Sequence, residues 1–198
     1  MSPAETRIRA WLEQLQRMRE MQYAYHKKFF HGLYFFLILV IACLLWDSLF
    51  SLVFVPFLVI TAGTQSCFYL HFVDFARLHA RHLERQLNQA LGRETFLGSA
   101  IENLYFYPVD APKIGGFIPS APLRFFSFFS LHWVLLWLGL AGFALWRVLP
   151  AIGSGASRYL LLLMVWGGLN FAFLAWFFME RRSLSQANIL LEKTVRPS

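Results

Sequence analysis

The stretch Leu49–Leu91 changes solvent partway along its length. It begins as an apolar run, Leu49–Phe72, long enough to cross a bilayer, which takes roughly 20 residues at about 1.5 Å of rise each. It continues, with neither Pro nor Gly after Gly63, as a charged pattern at helical spacing up to Leu91. A segment that is lipid-soluble at one end and water-soluble at the other constrains everything around it. Its neighbours either pack beside the apolar half or surround the charged half.

The composition fits such a chain. Hydrophobic residues make up 58% and charged residues 15%, against about 25% charged in soluble domains. The apolar excess is gathered into blocks. Phe29–Ala62 is too long for one crossing, and Asp47 with Ser48 is its only break. Trp46 beside that break suits the headgroup level, where amphipathic rings collect. The reading is a tight hairpin of spans, Phe29–Trp46 and the run from Leu49. A re-entrant pair that turns back inside the bilayer is the alternative. A third span covers Phe125–Val148, ended by Arg147 and Pro150. After the Gly- and Ser-rich linker Ile152–Ser157, a fourth covers Tyr159–Met179, stopped by Glu180, Arg181 and Arg182. The predicted fold is all-α: a polytopic membrane protein with four transmembrane helices and cytosolic helical extensions. Its units are a cytosolic amphipathic helix (1–28), a transmembrane hairpin (29–73), a cytosolic amphipathic helix with an interfacial loop (74–124), a second hairpin (125–179) and a cytosolic tail helix (180–198).

Orientation follows from the cations. Of 18 Lys and Arg, only Arg147 and Arg158 fall between spans three and four, and none falls at the first turn. The positive-inside rule then places both termini and the long connection in the cytoplasm, in a plasma or inner membrane. The same placement argues against nucleic acid as the partner of the +7 charge, because the basic residues flank apolar blocks and form no basic-aromatic surface.

Residues 1–28 lack a signal-peptide pattern. They carry a helical repeat of Ile8, Trp11, Leu15, Met18, Gln22 and Tyr25, with Glu5/Arg9 and Glu13/Arg17 at i,i+4, and Lys27 and Lys28 are read as closing the helix. A coiled-coil arm fits the repeat. Fewer than three heptads and a polar Gln22 on the seam favour packing against the protein's own cytosolic helix or the headgroups. Beyond the second span, Arg77, Arg81 and Arg85 recur every four residues as a basic stripe, with Phe75, Leu78, His82 and Leu83 assigned to the other side. Gly92 is a natural end to that helix. Phe96, Leu97, Ala100, Ile101 and Leu104 suggest a short amphipathic helix, followed by a path marked by Pro108, Pro112, Pro119 and Pro122.

Polar chemistry clusters once, at His71, Asp74, His79 and His82. A carboxylate among imidazoles at a membrane surface is competent for metal binding, proton relay or acid–base work on a lipid headgroup. Against that reading, His-x-x-His occurs once, no second acidic motif follows, and there is no HExxH, nucleophile elbow or phosphate-binding Gly loop. No cofactor and no metal are assigned. Lys27, Lys28, Arg181 and Arg182 are read as anchors at the anionic leaflet. Gln65, in the polar run Thr61–Ser66, and Asn170 are intramembrane polar groups suited to helix–helix contact or a pore lining. Cys43 and Cys67 sit in apolar runs as packing residues. The expected function is a non-enzymatic membrane module (scaffold, sensor or effector) assembling through its cytosolic helices, with lipids, a second copy or a cytosolic protein as partners. The alternatives are a small oligomeric channel or transporter and a lipid-acting enzyme built on the histidine cluster.

Overall fold

The computed structural model describes residues 3–46, 48–105 and 125–195. Every regular element among them is helical: α1 (Pro3–Trp46), α2 (Leu49–Leu91), α3 (Gly98–Tyr105), α4 (Phe125–Ile152), a short 3-10 turn (Gly153–Gly155) and α5 (Ala156–Val195). Three helical stretches, Ala4–Trp46, Leu49–Leu91 and Ser127–Phe177, are long and apolar enough to cross a membrane, the last containing both α4 and the first half of α5. Among the described residues the chain is all-α, with helices of the length and apolarity of a membrane protein.

Lys27 and Lys28 were expected to close a first helix, but α1 runs through them without interruption. Lysine is a good helix former, and neither Pro nor Gly occurs between Ala4 and His31 to stop propagation. The change of solvent at these residues is a polarity boundary only. Likewise α4 passes Arg147 and Pro150 and ends at Ile152. Gly153, at φ +50°, makes the break before α5. At the other turn Ser48 caps α2, its side chain accepting from Ser51 N–H at 3.1 Å. Ser51 Oγ in turn donates to the Cys43 carbonyl at 2.9 Å, tying the two helix ends together.

α1 and α2 lie antiparallel along their whole length. Near the turn and through the middle, Phe29, Leu33, Phe36 and Val40 pack with Val55 and Ala62, and with Trp137 and Ala144 of α4. Gly32 faces the Tyr69 ring and the Gln65 side chain, where a Cβ would make ordinary contact at 3.6–3.7 Å. Farther on, Tyr25 stacks on Phe72 at 4.7 Å. At the polar end Leu15 joins Ala80, Leu83 and Leu87, flanked by Ile8, Trp11, Met18 and Phe96. The N-terminal repeat is therefore packed on the protein's own second helix, as its short length favoured. α4 and α5 each touch α2 more than they touch each other. Tyr159 of α5 anchors that contact by donating to the Val53 carbonyl at 3.0 Å.

Large apolar side chains cover the outside of the apolar half: Leu45, Trp46, Phe50 and Phe171 are 73–81% exposed. A water-soluble protein rarely shows such a continuous apolar surface, and lipid is the solvent that accommodates it.

The buried contacts, rather than the apolar surface, should carry the packing energy. Leu87→Ala, at a fully buried site, is expected to cost about 2–5 kcal/mol, whereas Leu161→Ala, on the exposed face of α5, should leave thermal unfolding in mild detergent nearly unchanged. Circular dichroism melts of the two variants check this.

Candidate functional site: a charge-paired junction of three helices

At the polar end of the α1–α2 hairpin, α3 docks across both helices through opposite charges. Arg19 of α1 is ion-paired to Glu84 of α2 and to Glu102 of α3. Arg77, itself only 3% exposed, donates from Nε to the second Glu102 oxygen at 3.2 Å, and its Nη2 lies 3.4 Å from Asn103 Oδ1. Glu102 is thus shared by two guanidiniums. Gln22 accepts from Arg19 and donates to Glu102, both at 3.0 Å, which explains a polar residue on an otherwise apolar seam. Glu84 uses its remaining oxygen to accept the Ser99 N–H at 2.8 Å, at the start of α3, where free amides and the helix dipole favour negative charge.

The link between α2 and α3 is held as firmly. Gly92, at φ +63°, ends α2 with its N–H on the Gln89 carbonyl while Arg93 N–H reaches Asn88 carbonyl, both at 3.2 Å. Asn88 then accepts from the Thr95 and Phe96 amides at 2.9 and 2.8 Å and donates to the Phe96 carbonyl at 2.9 Å. A Cβ at Gly98 would stand 2.7 Å from Arg19 Nη2 and 2.8 Å from Glu84 Oε1, so a side chain there would displace the ends of that ion pair.

The charges respond to this enclosure. Burial works to raise the Glu102 pKa, but the hydrogen bonds from Arg19 and Gln22 and the charges of Arg19 and Arg77 outweigh it, so the carboxyl sits below its usual range. Burial works to lower that of Arg19, and the two carboxylates reverse it, raising the guanidinium further. His26 lies at the rim. Burial and the Arg77 charge hold its pKa below the ordinary value, only partly opposed by Glu102 and Asp74.

The basic stripe on α2 is accordingly divided. Arg77 faces inward to Glu102, Arg81 is half-buried, and Arg85 is exposed. Lys27 and Lys28 are exposed. In the histidine cluster, burial and the neighbouring His82 both hold the His79 pKa below its ordinary value. His71 is buried edge-on against Phe177 of α5 at 4.8 Å, and His79 lies beside the Phe75 ring at 5.2 Å. His82 meets the Gln86 amide at 2.9 Å, and buried Asp74 is among the charges felt by His26. Among the described residues, no three His, Cys, Asp or Glu side chains converge on a point that would hold a metal. The intramembrane polar groups are satisfied within their own helices: Thr61 and Thr64 donate to the Phe57 and Ile60 carbonyls, Gln65 to the Tyr69 hydroxyl, and Asn170 to the Trp166 carbonyl. The side chains of Arg181 and Arg182, and the stretch containing Pro108, Pro112, Pro119 and Pro122, lie outside the described residues.

Sequence reasoning missed Arg19, His26, Gly98 and Glu102, and gave Glu84 and Asn88, beside the basic stripe, no role of their own. One signal was present: Val73, Ala80 and Leu87 recur every seven residues, as do Arg77 and Glu84. That register puts Arg77 and Glu84 on the buried seam, where only paired charges persist. No family model, curated protein or solved structure matches this chain.

Two outcomes follow from the junction. Glu102→Ala removes the carboxylate shared by Arg19 and Arg77, leaving Arg19 with Glu84 alone as its acid, and should destabilise the fold by about 3–5 kcal/mol, while Arg9→Ala, which breaks an exposed i,i+4 pair, should cost at most about 0.5 kcal/mol. Thermal melts of both variants decide. The pH dependence has a definite sign. The folded state holds His26 less protonated than the unfolded chain does, so stability falls as pH drops below its ordinary 6.5. Glu102, depressed in the fold, adds a second loss as pH falls below 4.5 toward its lower folded value. His26→Gln should shrink the first limb of melting temperature against pH, leaving the share of His79, whose pKa burial and His82 also lower, and should leave the second.

Proposed function

We propose that this chain is a four-span protein of a plasma or inner membrane with both termini in the cytoplasm. It acts as a non-enzymatic module that assembles with a cytosolic partner through a preformed helical layer. The observation that carries this reading is the length of the paired helices. α1 and α2 have 44 and 43 residues, about 65 Å each at 1.5 Å per residue, against a hydrocarbon core of about 30 Å. With the short turn at one membrane face, roughly half of each helix projects beyond the other. The projecting half is the half that carries the charges, the Leu15–Leu87 core and the three-helix junction.

The five units read from the sequence keep their roles in this proposal, with one addition: 1–28 and 74–105 form a single cytosolic layer. α3 serves as its contact with the membrane surface. It turns Glu102 inward and leaves Leu97 beside it, with Ile101 and Leu104, 48–71% exposed, an arrangement suited to lying at the headgroup boundary. The junction makes the layer rigid before any partner arrives, which lowers the ordering cost of binding. With Arg77 turned inward to Glu102, the exposed Arg85, next to the half-buried Arg81, supplies outward positive charge.

Arg81→Glu with Arg85→Glu is expected to abolish co-purification of a crosslinked cytosolic partner while the melting temperature stays within a few degrees of wild type. Undiminished capture would contradict the assignment. Orientation is tested separately by placing a cysteine at Ser48 in a chain lacking Cys43 and Cys67: an impermeant maleimide should label it from outside intact cells, and a cysteine at Thr6 only after lysis.

A further inference from the structure

We draw no further inference here: the strongest candidate, the apolar cleft between α1, α2 and α4 walled by Phe29, Leu33, Gly63, Leu70 and Trp137, carries nothing because nothing in the structure shows what covers it.

Discussion

Two helices of about 65 Å joined through only residues 47–48 have one way to lie, side by side and antiparallel. That constraint sets the rest of the structure. The pairing must work in two solvents, and the side chains change accordingly: Phe29, Leu33, Val40 and Val55 from the middle to the turn, then Leu15, Ala80 and Leu83 where the outer faces become charged. α4 and α5 rest on α2, which needs apolar side chains on several faces at once and is why the helix reads as continuously apolar over its first half.

The junction of Arg19, Arg77, Glu84 and Glu102 solves a different problem. Paired buried charges add little net stability compared with an apolar replacement, but removing one member is costly. Their effect is to permit one docking position for α3, because Glu102 must meet both guanidiniums while Ser99 meets Glu84. Gly98 leaves the Arg19–Glu84 ion pair undisturbed where a Cβ would push its ends aside. A layer specified in this way is rigid, which suits the proposed role of presenting a fixed surface.

Much of this was legible in the sequence, for physical reasons. The span-forming runs are long enough that bilayer thickness alone identifies them, and Ser48 and Gly92 mark helix ends because capping and a left-handed φ demand those residue types. The end of α1 at Lys28 was misread because a polarity boundary was taken for a helix boundary, and helix propagation depends on backbone chemistry that lysine does not disturb. Arg77 was assigned to the solvent face because charges spaced by four resemble a surface stripe. Its true place depends on Glu102, a residue on a separate helix whose position no local pattern encodes. Gly98 is the same case: it reads as a helix breaker, and its role appears only once Arg19 and Glu84 are adjacent.

The continuity of α1 is the most exposed element of this account, since the membrane half and the charged half become one rigid body only if the helix passes Lys27 and Lys28 intact. Hydrogen–deuterium exchange of the full chain in nanodiscs measures it directly. The account predicts slow exchange without a gap from Ile8 to Trp46, with residues 75–91 protected alongside residues 8–25. Fast exchange across Ile8–Lys28 beside slow exchange in Phe29–Trp46 would contradict it, leaving an apolar span with an unattached arm.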